Sequence, residues 1–146
     1  MKMDTPFHID FGWWEHHGRE YTFYMRSHLC EEHQPKVGSV EDDNDQMLDW
    51  VHPRTGQVSR LDHLHYTLRT HCAIQPEFLT KRTSLVDAIF RVFIANGNHP
   101  LPVAELAVCI GREGQEQTIF RTLAGRRVHK GLRSVQIDSG TNSRTG

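Results

Sequence analysis

The sequence predicts an α+β protein in two parts. A small N-terminal unit of β-hairpins and one helix spans residues 1–80. A C-terminal unit of three short helices closed by a basic extended segment spans 81–137, and 138–146 form a flexible tail. Three observations carry this expectation. Between Ser84 and Val135, apolar residues recur at three- and four-residue spacing in blocks punctuated by glycine and proline. The N-terminal half instead holds aromatic, β-favouring runs separated by turn residues. Charge also changes sign between the halves: residues 1–83 carry nine Lys/Arg against thirteen Asp/Glu, and residues 84–146 carry eight against five. An acidic half followed by a basic one suggests a division of labour.

Composition bounds the classes of function. With 146 residues, 37% apolar and 24% charged, the chain can bury a modest core and is not a disordered polymer. No apolar run approaches the ~20 residues that span a bilayer. The opening MKMDTPFHIDFG has no apolar stretch of the signal-peptide kind, so a cytoplasmic location is expected. The three cysteines, Cys30, Cys72 and Cys109, cannot all pair within one chain. Reduced thiols or metal ligation are therefore expected rather than a disulfide frame.

The elements follow in chain order. FGWWEH and YTFYMRSHL, separated by His17–Glu20, read as an antiparallel hairpin. Trp13, Trp14 and Trp50 read as core or lid aromatics. QPKVGSVEDDNDQ is a solvated loop, because its acidic cluster Glu41–Asp45 lacks the spacing of a calcium loop. MLDWV and QVSRLD, on either side of His52–Gly56, form a second hairpin. Residues 62–73 read as a helix that Pro76 ends, with Leu61, Leu64, Leu68 and Cys72 in one apolar stripe.

Eleven histidines make metal binding worth testing, and their placement matters more than their number. Cys30-Glu31-Glu32-His33 has the C-x2-H spacing that lets two side chains converge on one ion while the backbone turns. His71 and Cys72 supply a second pair, giving a Cys2His2 set suited to structural zinc. Adjacent residues on a continuous helix diverge by about 100°, so both can ligate only where the helix frays. His28 is an alternative ligand from the same side as Cys30. His65 lies about two turns from Cys72 and is too far to share an ion with it. A zinc staple would suit a unit with little core of its own. Alternatively Cys30 and Cys72 are buried thiols. Catalytic readings have little support: there is no serine elbow, no phosphate-cradling glycine loop and no H-E-x-x-H helix. Glu15-His16-His17 reads as a polar turn.

In the C-terminal half, Ser84 is placed to cap a helix with Leu85, Ile89, Val92 and Phe93 inward, ended by Asn96-Gly97. Pro102 opens the next helix, with Val103, Leu106, Ala107 and Ile110 inward and Gly111 closing it. A turn over Gly111–Gly114 leads into a third helix, from Gln115 to Ala124, anchored by Ile119, Phe120 and Leu123. Cys109 is expected to be a small buried hydrophobe. Arg126, Arg127, Lys130 and Arg133 follow within eight residues, and Gly131 is placed as the tip of a small wing.

This arrangement of three helices, a tight turn and a basic wing resembles the winged helix-turn-helix superfamily, over roughly 50 residues and without a specific signature. The resemblance implies that the third helix and the wing meet double-stranded DNA. Gln117, Thr118 and Arg121 would then reach base edges. Arg126, Arg127, Lys130 and Arg133 would engage backbone phosphate, with a homodimer on paired half-sites. The expected function is transcription-regulatory DNA binding. The alternative is an adaptor whose winged helix docks onto a protein partner in a larger complex.

Overall fold

The computed structural model describes residues 3–30, 47–75, 78–80 and 82–135. The loop that includes Glu41–Asp45 and the tail 138–146 lie outside the described residues. The architecture is mixed α+β, with short helices and two small antiparallel sheets. No helix among the described residues is long and apolar enough to cross a membrane.

The first expected hairpin is helical instead. Strand β1 (Phe7–Ile9) leads into a 3-10 helix over Phe11–His16 and then into α1 (Gly18–Arg26). Asp10 caps the 3-10 helix by accepting from the Gly12 N–H at 2.9 Å. The periodicity explains why helix wins over strand. Tyr21, Tyr24, Met25, His28 and Leu29 face the core at three- and four-residue steps, while Thr22 and Phe23 between them are exposed. Aromatic content favours a strand only weakly, and packing on one helical face overrides it.

The second hairpin forms as expected, from β2 (Leu48–Val51) and β3 (Val58–Leu61), with Leu48 opposite Leu61 and Val51 opposite Val58. Helix α2 (His63–Thr70) follows, N-capped by Asp62, whose carboxylate accepts from the His65 N–H at 2.7 Å. The predicted stripe is inward: Leu61, Leu64, Leu68 and Cys72 are all buried.

Helices α3 (Leu85–Ala95), α4 (Val103–Cys109) and α5 (Glu116–Ala124) stand where the C-terminal periodicity puts them. Ser84 occupies the N-cap position of α3 without a side-chain capping bond. Asp87 in the first turn accepts instead from the Tyr24 hydroxyl at 2.5 Å, tying α1 to α3. Gly97 and Gly111, both at positive φ, end α3 and α4. Cys109 departs from expectation and is exposed, because α4 turns it away from the face formed by Val103, Leu106 and Ala107.

The strand that closes the three helices does not find its partner nearby. β4 (Leu132–Ser134) pairs antiparallel with β1, with Phe7 opposite Ser134 and Ile9 opposite Leu132. Among the described residues, the basic segment makes one local bridge, His129 to Leu132. RRVHKG has one apolar residue and cannot cover a core, whereas Phe7 and Ile9 alternate inward around His8. Burying those two side chains contributes roughly 1.5–3 kcal/mol each.

The other edge of β1 is also held. Leu101 exchanges backbone hydrogen bonds with Phe7 at 2.8 and 3.0 Å. The Asn98 amide both donates to and accepts from the Ile9 backbone at 2.9 Å. One core results, in which Phe7, Ile9, Met25 and Leu68 pack together with Phe90, Phe93, Leu106, Ile119 and Leu132.

Candidate metal centre and nucleic-acid interface

The chain turn after α1 delivers Cys30, and the end of α2 delivers His71 and Cys72. Helix α2 stops at Thr70, and His71 has φ −123° and ψ −60°, outside helical values. A short 3-10 helix then runs over Cys72–Ile74. This break resolves the difficulty of adjacent ligands, since the two side chains no longer diverge as they would on a continuous helix. Cys30 Sγ and His71 Nδ1 are 3.7 Å apart. The Cys72 thiol joins them, with all three ligand atoms within 4.8 Å of one another. Ordinary Zn–S and Zn–N bond lengths at a tetrahedral angle place S and N about 3.6 Å apart. Two thiols and an imidazole so spaced are close enough to bind a metal ion, and their softness suits zinc.

His33, expected as the fourth ligand, lies outside the described residues. His28, the alternative, is turned away from the group. It is buried against Phe90, and its Nδ1 accepts from Arg91 Nε at 2.9 Å. Burial, reinforced by the Arg91 charge, pushes its pKa down to about 3. His65 takes no part in the metal group either.

On α5, Gln117, Thr118 and Arg121 are exposed, while Ile119 and Leu123 are buried beneath them. Arg126 and Arg127 are exposed beyond the helix. Lys130 is exposed as well, with its ammonium 4.8 Å above the Tyr24 ring. Its backbone sits at φ 55°, and its carbonyl accepts from Trp14 Nε1 at 3.0 Å, so the basic segment before β4 is seated on the N-terminal aromatic cluster.

One expected phosphate contact, Arg133, and the expected wing tip, Gly131, are both engaged by that seating. Arg133 Nε donates to Asp10 Oδ2 at 2.7 Å, and its NH2 group binds the same oxygen. This guanidinium is paired with a carboxylate beside β1, which offsets its charge toward phosphate. Burial alone would raise the Asp10 carboxyl, but Arg133 and the Gly12 N–H outweigh it and hold it below the usual carboxylate value. Gly131 is buried rather than presented: a Cβ there would lie 3.0 Å from the Asp10 carbonyl and from the Trp14 indole nitrogen. Its φ of +79° and that close approach explain the glycine without a ligand.

A pocket of about 720 Å³ lies between the β2–β3 hairpin, α2, the start of α1 and the α3–α4 connection. Phe11, Trp14, Tyr21, His65 and Arg69 are among its walls. Arg69 is buried, donates from Nε to the Ile94 carbonyl at 3.0 Å, and contacts His65 Nε2 at 2.9 Å through NH2. Trp50 stacks on it at 4.5 Å. Burial pushes the Arg69 pKa down to about 10, so it stays cationic at neutral pH. Burial, followed by the Arg69 charge, pushes His65 down to about 3. Sequence reasoning missed these residues. The available signal was an i,i+4 pair of polar side chains, His65 and Arg69, beside the apolar stripe of α2.

No family model matches the chain, and no curated protein or solved structure matches it either.

Proposed function

We propose that the protein is a winged-helix DNA-binding protein of a transcription-regulatory kind, with a structural zinc held by Cys30, His71 and Cys72 and completed by His33. The observation that carries the DNA reading is the exposed face of α5. It presents Gln117, Thr118 and Arg121 and runs on to Arg126, Arg127 and Lys130. Gln and Arg suit base edges, and the flanking cations suit phosphate. The adaptor reading would call for an apolar face on α5, and the large exposed apolar residues, such as Val108 and Phe23, lie elsewhere among the described residues.

Four cations at the interface imply that log affinity falls with log salt with a slope of roughly −3 to −4. Fluorescence anisotropy with random and selected duplexes tests this. Arg121→Ala should reduce preference for a selected site, and Lys130→Ala should weaken all duplexes alike and lower the slope by about 1. Affinity independent of salt, unchanged in both variants, would refute the reading. For the metal, native mass spectrometry with and without chelator should give one zinc per chain, lost in Cys30→Ser and Cys72→Ser. Unaltered mass after chelation would refute the staple.

A further inference from the structure

Arg69 is 6% exposed, yet among the described residues no carboxylate pairs with it. A guanidinium has five N–H donors. One goes to the Ile94 carbonyl and one to His65, which leaves three without a partner among the described residues. His65 offers no countercharge, because an imidazole nitrogen that accepts from a guanidinium belongs to the neutral ring. Burying a cation without a counter-ion costs several kcal/mol, and folded proteins normally supply the missing charge.

Here the guanidinium borders the pocket instead. The Tyr21 ring lies on the same wall, and its hydroxyl has no hydrogen-bond partner among the described residues. The apolar surfaces of Phe11 and Trp14 complete this end. The arrangement is rigidly backed: Trp50 stacks on Arg69 and packs against Gly97, where a Cβ would come within 2.9 Å of the indole. We propose that this pocket binds a small organic anion, a carboxylate or a phosphate monoester with an aromatic or apolar body, anchored by the Arg69 guanidinium.

The volume is within the range of small-molecule sites, about 300–1,000 Å³. A bidentate fork matches either anion. The remaining charges limit the ligand further. Asp62 already caps α2, Glu15 is exposed at the rim, and Arg60, also exposed on the lining, lies 3.8 Å from the Asp49 carboxylate. At its buried end, where Arg69 is the cation, the pocket therefore takes one anionic group. The inference is independent of the DNA-binding reading.

The test is titration of the full chain with phenyl phosphate, benzoate and the neutral isostere benzamide, followed by tryptophan fluorescence, since Trp14 lines the pocket. Saturable binding of an anion at least tenfold tighter than benzamide is expected. Arg69→Lys, which keeps the charge and removes the fork, should weaken that binding tenfold or more. Gly18 also lines the pocket, and nothing lies within 4 Å of a Cβ built there. Gly18→Leu should therefore weaken binding by narrowing the pocket while leaving Arg69 in place. It decides the matter if Arg69→Lys does not fold. Equal affinity for benzoate and benzamide, no saturable binding of either anion, or full affinity in Gly18→Leu would each overturn the proposal.

Discussion

Acidification should unfold this protein through two buried imidazoles. His28 and His65 are both pushed down to about 3 from an ordinary 6.5, chiefly by burial. Each accepts from an arginine, Arg91 and Arg69, so protonation would place two cations side by side in a poorly solvated site. The unfolded chain gains a proton on each ring near pH 6.5, while the folded chain resists until about pH 3. The stability from keeping these rings neutral is therefore present above pH 6.5 and is lost progressively as the pH falls toward 3. At pH 5 each ring contributes a loss of about 2 kcal/mol relative to neutral pH, or about 4 kcal/mol for the pair. That is a large fraction of the ~5–15 kcal/mol that holds a domain folded. His8 is lowered by burial too and acts in the same direction. Urea unfolding at pH 7 and pH 5, followed by tryptophan fluorescence, measures the difference. His28→Gln and His65→Gln keep an acceptor for the arginine but do not titrate, so each should remove about half of the acid-induced loss. Loss of a bound metal at low pH would affect the wild type and both variants alike. A wild-type loss below 1 kcal/mol, or single variants that keep the whole of it, would refute the reasoning.

Two other substitutions probe the packing between the halves. Gly97 has φ +76°, and Trp50 and His52 lie against it, so Gly97→Ala should cost about 1–3 kcal/mol in thermal or urea unfolding. A melting temperature within a degree of wild type would show that the Trp50 side chain moves aside freely. Arg133→Ala should remove the Asp10 contact and lower stability by about 1 kcal/mol, discounted because both side chains are partly solvated. In the DNA titration the same variant should leave the salt slope unchanged, in contrast to Lys130→Ala, and a fall of one in its slope would return Arg133 to the interface.

Local pattern was enough to read much of this chain. The apolar stripe Leu61–Leu64–Leu68–Cys72, the β2–β3 hairpin and helices α3 to α5 were legible because each depends on near-neighbour spacing and on glycine or proline punctuation. The pairing of Cys30 with His71 and Cys72 was legible from ligand type alone, because the chain has few cysteines and one of them adjoins a histidine, although 41 residues separate Cys30 from His71. The aromatic run from Phe11 to Arg26 misled, since β propensity and helical periodicity compete there and only burial of Tyr21, Met25 and Leu29 on one face decides between them.

The sequence by itself determined the α+β composition, the exposed polar face of α5 and the outline of the cysteine–histidine group. Only the tertiary structure decided that β1 crosses to pair with β4, that Asp10 consumes Arg133, and that Arg69 borders a pocket without a carboxylate partner among the described residues. The physical reason is range. Helix faces and turns are set by residues a few positions apart, whereas strand partners, ion pairs and pocket walls join residues such as Asp10 and Arg133 that meet only when one core is buried between both halves.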